Sequence, residues 1–211
     1  AGLDRSLPFL FKETSQAVNL QGLLDDGLDI QCVQIIRDPR DNYAAIKAGV
    51  AKYYQKMNEN EKQSFASVLN RAKLDLRLAS ELSNELKERF FAIRFEDLVN
   101  SPGDEMRRLV KCLGIPWTES VLIPTFLDEK FLGNNHEGQQ FPGVSNSNAG
   151  RWKERISDFE AAAIEAWMHH EMDMWGYKQE YAKADQRRAL ESFYAWYNCR
   201  YFYRDSFGVG S

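Results

Sequence analysis

The sequence has few of the residues that build disulfide frameworks and zinc sites. Its 211 residues include 3 cysteines and 3 histidines, and the cysteines are widely spaced with no CxxC pair. An odd, scattered set of cysteines is not typical of a disulfide scaffold or a structural zinc site, and it favours a reducing compartment. We therefore expect a cytoplasmic protein without a metal site.

Long apolar runs and a strong excess of one charge are also missing. No stretch approaches the roughly 18 consecutive apolar residues of a membrane span, and residues 1–10 are too short and too polar for a signal peptide. The formal net charge is −4 with 27% charged residues, so nothing marks the chain as a nucleic-acid binder. The sequence predicts a globular protein with no membrane span and no nucleic-acid partner.

What the sequence does contain is a strand that ends in charged residues. Residues 30–36 form an apolar, β-branched run that predicts a buried strand, and Arg37-Asp38-Pro39-Arg40-Asp41 ends it. In open α/β sheets, anions bind where strand ends meet helix N-termini. From these residues alone, Arg37 and Asp41 fit an anion site and a strand-end salt bridge that caps a helix about equally well.

Helical periodicity dominates the rest of the chain. A second short strand is predicted at 89–94, and it is again followed by acidic residues. A polar loop rich in Gly, Asn and Ser spans 133–150, and ordered loops of this length are typical of lids and binding loops. Helices are predicted at 42–57, at 60–87 as one or two helices, from Ser101 to a C-cap at Gly114, at 157–175 and at 178–207.

Three segments in this order form a pattern. They are Ile35 to Asp41, then Ile93-Arg94-Phe95-Glu96-Asp97-Leu98, and then Gly150-Arg151-Trp152-Lys153. Their order and spacing resemble the sulfotransferase family that uses 3′-phosphoadenosine-5′-phosphosulfate (PAPS), over roughly residues 11–178. The resemblance implies an α/β, P-loop-NTPase-like three-layer fold that is rich in helix and has a small parallel sheet. It divides the chain into a sulfotransferase-like domain, 1–178, and a C-terminal helical extension, 179–211.

The resemblance also implies where PAPS, or its product 3′,5′-ADP, binds. Arg37 corresponds to the arginine that contacts the 3′-phosphate, and a guanidinium suits this role because its fork binds a phosphate at two points. Phe95 corresponds to an aromatic residue near the adenine, although a core position fits it equally well. The resemblance implies further contacts with the nucleotide from Ser145, Asn146, Ser147, Arg151 and Trp152. Trp152 also fits a packing role.

Two departures from the family pattern weaken the implied activity. The family has a serine eight positions after the first arginine, whereas this chain has Ala45, which donates no side-chain hydrogen bond. The family's N-terminal loop for the 5′-phosphosulfate has no counterpart here, since no GxxxxGK[ST] run occurs. We therefore expect a chain that lacks the N-terminal part of the family domain. Near its start, Lys12 and Glu13 correspond to a region where many family members have a catalytic acid/base or Lys-Thr-Pro-like segment, which makes them a possible cation and base.

Three functions agree with these observations. One is sulfuryl transfer from PAPS to an acceptor hydroxyl or amine by the complete protein, with an acceptor whose class the sequence does not reveal. Another is a degenerate module that binds a nucleotide or a protein without catalysis. The third is a different nucleotide-dependent α/β protein. It ranks last because such a protein should contain a phosphate-binding loop, and this sequence has no such motif. A sheet of two strands would leave apolar faces uncovered, which further predicts a homodimer.

Overall fold

Two short parallel strands form the sheet. The computed structural model describes residues 10, 12, 17–49, 61–127, 129–133 and 138–197. Strand β1 (Cys32–Ile36) pairs in parallel with β2 (Phe90–Arg94), and Cys32 lies beside Phe90 while Ile36 lies beside Arg94. β-branched and aromatic side chains favour extended backbone at these positions. The prediction of a helix-rich α/β fold with a small parallel sheet is confirmed.

Helices precede, connect and follow the two strands. Two of them, α2 and the long α3, lie between the strands in the sequence. Helix α3 confirms the prediction of helix at 60–87 and shows that it is a single element. The helices are α1 (Leu20–Asp25), α2 (Pro39–Gly49), α3 (Glu61–Leu86), α4 (Phe95–Asn100), α5 (Pro102–Cys112), α6 (Trp152–Arg155), α7 (Asp158–Trp167), α8 (His169–Met174) and α9 (Lys183–Tyr197). Short 3-10 turns occur at Ala17–Asn19, Lys87–Arg89 and Glu119–Leu122, and β3 (Thr125–Phe126) forms an antiparallel hairpin with β4 (Glu129–Lys130).

The sheet lies between helices and forms the middle of three layers. On one face, the Gln34 amide donates a hydrogen bond of 3.2 Å to the carbonyl of Asp75 in α3. Successive side chains of a strand point to opposite faces, so the register places Phe91 on the other face. There the guanidinium of Arg108, from α5, lies 5.3 Å from the centre of the Phe91 ring.

One part of the sheet is left open by the described helices. Val33 and Ile35 of β1 point to the α5 side of the sheet and are 36% and 58% exposed. The edge of β1 that faces away from β2 pairs with no other strand among the described residues. Parallel strands are normally covered on both faces, so this edge and this face are unusual for a parallel sheet.

Several helix ends follow from local sequence. Pro39 begins α2, where its missing N–H costs nothing, and the Asp38 carboxylate accepts the Arg40 N–H at 2.8 Å. Gly114 ends α5 with φ +65, and the N–H of Ile115 reaches back to the Val110 carbonyl. Together with a bond from the Gly114 N–H to the Lys111 carbonyl, this forms a Schellman motif, as expected for a glycine at this position.

The predicted helix at 157–175 is wrong as a single element. It begins as expected, because Ser157 and Glu160 form a capping box. It then breaks at Met168, which separates α7 from α8. The ammonium of Lys73, from α3, donates a hydrogen bond of 3.1 Å to the Trp167 carbonyl at the break, and a tertiary bond of this kind leaves no trace in the local sequence.

Two other predicted helices are described in part. The helix predicted at 42–57 starts earlier, at Pro39, and is described to Gly49; residues 50–60 lie outside the described residues. The helix predicted at 178–207 starts later, at Lys183, and is described to Tyr197. It packs against α7 and buries Phe193. The proposed boundary between residues 178 and 179 stays a prediction.

The core is built from the helices around one face of the sheet. Phe193 lies at its centre, with ring centres 4.9 Å from Phe65 and 5.5 Å from Trp167. These edge-on aromatic contacts, together with the large area they bury, favour the packed state. The apolar residues with no measurable exposure in the described part of the chain are Leu69, Ala79, Ala161, Ala163, Ile164, Met168, Met172 and Leu190. None of the helices within the described ranges has the length and apolar character needed to cross a membrane.

Candidate functional site

The parallel register brings two of the predicted site residues together. Ile36 lies beside Arg94, so the next residues, Arg37 and Phe95, leave the sheet at neighbouring strand ends. The Arg37 guanidinium carbon lies 4.6 Å from the centre of the Phe95 ring. A cation over an aromatic face is favourable and fixes the plane of the guanidinium. Arg37 is therefore held at the edge of the sheet where anions bind in this class of fold.

The polar loop that precedes Trp152 folds back onto the same strand end. The Arg37 Nη2 donates a hydrogen bond of 2.5 Å to the Asn148 carbonyl. The Gly150 N–H donates to Asp41 Oδ2 at 2.6 Å, and the Trp152 N–H donates to Asp41 Oδ1 at 2.8 Å. Asp41 thus accepts backbone N–H groups with both of its oxygens, and Arg37 donates to a backbone carbonyl. These hydrogen bonds differ from the direct Arg37–Asp41 salt bridge that the sequence also allowed. The loop and the strand end form one site.

The charge of Arg37 is only partly compensated. Its Nε is buried and has no hydrogen-bond partner among the described residues. Burial lowers the pKa of the Arg37 guanidinium. The negative charges of Asp41 and Glu96 oppose this effect, and the positive charge of Arg155 adds to it. Burial likewise raises the pKa of Asp41, against the opposing effect of its bonds to the loop amides and of Arg37. An anion bound beside Arg37 would relieve the unfavourable environment of the guanidinium.

A buried ionic network of Arg40, Asp38 and Glu165 lies next to the site, and the sequence analysis did not predict it. Arg40 is 3% exposed and donates to Asp38 at 2.7 Å and to Glu165 of α7 at 2.6 Å. Its guanidinium also lies 4.2 Å from the centre of the Trp152 ring. Glu165 has no exposure and accepts further hydrogen bonds from the N–H groups of Glu180 and Tyr181 at 2.9 and 3.0 Å. This network ties the strand-end turn to α6, α7 and the segment before α9.

The sequence held one signal for this network. Residues 161–167 read Ala-Ala-Ala-Ile-Glu-Ala-Trp, so Glu165 is the single charge in an apolar stretch of helix. Charged side chains are almost never fully buried unless they are paired. The pattern therefore indicates a buried partner for Glu165, although it does not say that the partner is the second arginine of the 37–41 motif.

Glu96 also stabilises the turn at residues 37–41. Its carboxylate accepts the Asp38 N–H at 2.9 Å and the Tyr177 hydroxyl at 3.0 Å. Burial, followed by the charge of Glu96, raises the pKa of Tyr177. Glu96 and Asp97 lie in the first turn of α4, which fits their interpretation as helix N-terminal charges and hydrogen-bond partners.

The residues predicted before the tryptophan lie together in an ordered turn. The Ser145 hydroxyl donates to Ser147 Oγ at 3.0 Å and accepts the Ser147 N–H at 3.2 Å. The Asn146 amide donates to Asn100 at the end of α4, at 3.0 Å. This turn is carried by the same loop that Arg37 and Asp41 hold at Asn148 to Trp152. Contact of Ser145, Asn146 and Ser147 with a nucleotide stays a prediction.

The other predicted residues divide into buried and exposed positions. Trp152 is 4% exposed and its ring packs against Arg40, as a packing role requires, and its contact with a nucleotide stays a prediction. Arg151 is half-buried and lies 3.8 Å from Glu154. Lys12 is exposed, and Glu13 lies outside the described residues. The described residues contain no group of three side chains suited to hold a metal ion.

The sequence is similar to known sulfotransferases. A model of the sulfotransferase family matches residues 29–119, which include both strands and the 37–41 motif. Carbohydrate sulfotransferase 4 of Mus musculus is 24% identical over 209 residues, covering 86% of this chain and 52% of that protein. Carbohydrate sulfotransferase 3 of Rattus norvegicus is 27% identical over 114 residues, covering 48% of this chain and 24% of that protein. The chain thus spans about a quarter to a half of the length of these relatives.

A solved structure shares the fold. It is the sulfotransferase domain from the curacin biosynthetic pathway, with a TM-score of 0.57 and 18% sequence identity, and the match covers 80% of this chain and 62% of that one. The matching family model, the curated relatives and the shared fold support a sulfotransferase family for this chain.

Proposed function

We propose that the site at Arg37 binds the 3′-phosphate of PAPS or 3′,5′-ADP, and that the protein transfers a sulfuryl group to an acceptor hydroxyl or amine. PAPS supplies the activated sulfuryl group, and 3′,5′-ADP is the product. Arg37, the amides and hydroxyls of the 145–151 loop and the Phe95 ring are the residues that would hold the 3′-phosphoadenosine end. Ala45 removes one expected hydroxyl from this set, so the affinity rests mainly on Arg37 and the loop.

The arrangement of Arg37 carries this proposal. Its guanidinium is held against Phe95 and the loop, while its Nε is buried without a hydrogen-bond partner among the described residues. Buried polar groups in proteins are nearly always hydrogen-bonded, and an exception calls for an explanation. A phosphate at this position would accept that N–H and balance the charge at the same time.

The acceptor is proposed from the relatives. Both curated relatives are carbohydrate sulfotransferases by name, so we propose a carbohydrate hydroxyl as the acceptor group. Its oxygen would bond to the sulfur as the bond between that sulfur and the 5′-phosphate oxygen of PAPS breaks; the proton of the hydroxyl would pass to a base and 3′,5′-ADP would leave. Glu13 as this base and Lys12 as a cation beside the leaving phosphate stay a proposal that the described contacts do not address.

A non-catalytic binding module is the alternative function. Ala45 favours it because it removes one expected contact to the 3′-phosphate, and the lack of a GxxxxGK[ST] run favours it because such a run would hold the phosphosulfate. The two functions share the Arg37 site and differ only in turnover. Transfer of radiolabelled sulfate from PAPS to a carbohydrate acceptor distinguishes them, since a binding module would bind 3′,5′-ADP and release no sulfated product.

Calorimetry with nucleotides tests the shared site. We expect saturable binding of 3′,5′-ADP at sub-millimolar concentration. We also expect 3′-AMP to bind roughly tenfold more tightly than 5′-AMP, because only the former carries the phosphate that Arg37 would contact. Equal affinity for 3′-AMP and 5′-AMP would contradict the assigned orientation. The lack of any heat with 3′,5′-ADP at millimolar concentration would contradict the site itself.

The exposed part of the sheet supports a proposed homodimer. β1 carries no charge or proline between Asp29 and Arg37, whereas proteins usually protect edge strands with such residues. Because two identical edges can pair with each other about a twofold axis, a second copy is the proposed occupant. We expect the chain to sediment as a dimer at micromolar concentration, and Ile35→Lys to shift it to the monomer.

A matched substitution controls for the added charge. Ile123 is 54% exposed, close to the 58% of Ile35, and lies outside the sheet. Ile123→Lys is therefore expected to leave the dimer intact. A wild-type chain that sediments as a monomer, or an Ile35→Lys variant that remains a dimer, would contradict this interface.

A further inference from the structure

We propose that Asp41 is a positioning residue of the nucleotide site: it holds the 145–151 loop so that the loop and Arg37 face one phosphate. This inference rests on the proposed function and adds a role for a residue that does not itself touch the ligand. A carboxylate beside a phosphate would repel it, so Asp41 can serve the site only through the groups that it binds.

The hydrogen bonds of Asp41 are suited to this task. It accepts the N–H of Gly150 in the loop at 2.6 Å and the N–H of Trp152 directly after the loop at 2.8 Å, and Arg37 donates to the Asn148 carbonyl. One carboxylate oxygen accepts the N–H of Gly150 and the other accepts the N–H of Trp152, the residues on either side of Arg151. Bonds from amides to an ionised acceptor are stronger than neutral ones and have directional geometry. The two bonds therefore fix both the position and the twist of the loop.

The two partners of the contact are each held in place. Asp41 is 2% exposed and lies in the first turn of α2, so its carboxylate has little freedom to move. On the loop, Gly150 has φ +77, a left-handed backbone that side chains disfavour. A Cβ at Gly150 would meet no atom within 4 Å. Glycine is thus required by the backbone conformation that aims this N–H, and not by lack of space.

The isosteric variant Asp41→Asn tests the inference. An asparagine keeps the size of the side chain but has one acceptor oxygen, and its NH2 group would face one of the two N–H donors. We expect the Kd for 3′,5′-ADP to rise roughly tenfold. In amide NMR spectra, the Gly150 and Trp152 signals should shift and their hydrogen exchange should become faster. A merely structural role would lower thermal stability and leave the Kd for 3′,5′-ADP unchanged.

Asp104→Asn is the matched control. Asp104 is exposed in the first turn of α5, so this variant makes the same change in charge away from the site. It is expected to leave both the affinity and the two amide signals unchanged. Normal affinity in Asp41→Asn would overturn the inference and leave the proposed function intact, whether or not the two amide signals shift.

Two further outcomes complete the test. If the wild-type protein does not bind 3′,5′-ADP, the proposed function fails and the inference fails with it. If Asp41→Asn does not fold, hydrogen exchange in the wild-type protein decides. Slower exchange of the Gly150 and Trp152 amides on addition of 3′,5′-ADP would support the inference, and unprotected amides in the bound protein would overturn it.

Discussion

Replacement of Arg37 by methionine is expected to weaken binding of 3′,5′-ADP by roughly ten- to a hundred-fold. A hydrogen bond to a charged group contributes about 1.5–3 kcal/mol, and each 1.4 kcal/mol corresponds to a factor of about ten. Methionine keeps much of the apolar volume that packs on Phe95 while it removes the charge and all N–H donors. Calorimetric titration of wild type and variant measures the effect directly.

The same variant should leave the stability of the fold nearly unchanged. The Arg37 Nε is buried without a described partner, and burial lowers the pKa of Arg37, so the folded chain holds this cation at a cost. A neutral residue avoids that cost, which offsets the loss of the bond to Asn148. We expect the free energy of unfolding to change by less than about 1 kcal/mol, or to rise. Such a separation of binding from stability is the signature of a ligand-binding residue.

Two further variants sharpen the result. Arg37→Lys keeps the charge but lacks the planar fork, so we expect an intermediate affinity. Arg77→Met removes a cation from an exposed position on α3, where Arg77 lies 3.5 Å from Glu81, and it should not alter binding. If Arg37→Met binds 3′,5′-ADP as tightly as the wild type, Arg37 is not the phosphate contact and the proposed site is wrong.

Replacement of Glu165 by alanine is expected to cost the largest amount of stability, about 3–5 kcal/mol. The change would leave the Arg40 cation buried with Asp38 as its remaining carboxylate partner. It would also leave the N–H groups of Glu180 and Tyr181 without their acceptor and remove one of the three acceptors of the Gln186 amide. Urea denaturation followed by circular dichroism measures the loss, because the midpoint moves in proportion to it.

A double-mutant cycle separates the ion pair from the other bonds. Arg40→Met should be strongly destabilising on its own, yet it should cost less in a Glu165→Ala background, where the buried cation has already lost one partner. Glu191→Ala, at an exposed position on α9, is the matched control and should change the unfolding free energy by less than about 0.5 kcal/mol. Additive effects at Arg40 and Glu165 would show that the pair does not act as a unit.

Features governed by neighbouring residues could be predicted from the sequence. The strands at 30–36 and 89–94 were evident from their β-branched and aromatic runs, and the start at Ser157 and the end at Gly114 followed from capping chemistry. The neighbouring positions of Arg37 and Phe95 also needed little more than the assumption that the two strands pair in parallel. For the strands and the helix ends, the interaction that fixes the structure lies within a few residues.

Features governed by distant residues could not be predicted in this way. The lysine that bonds the carbonyl at the Met168 break comes from α3, and the partner of Arg40 is 125 residues away in α7. The role of Asp41 was open because a carboxylate at a helix start serves as a cap or a partner in many contexts. Only the fold shows that its oxygens bind the N–H groups of Gly150 and Trp152.

The bonds that close the site also set the order in which it can appear. Arg37 and Asn148 are 111 residues apart, as are Asp41 and Trp152. At a synthesis rate of about 5–20 residues per second, the ribosome makes the second half of the site roughly 5–20 s after the first. During this time β1, α3 and β2 can pack while the strand-end turn at Arg37 has no loop to close on it. Binding at the proposed nucleotide site would therefore be a late event in biogenesis, and it would report that the chain has folded as far as α6.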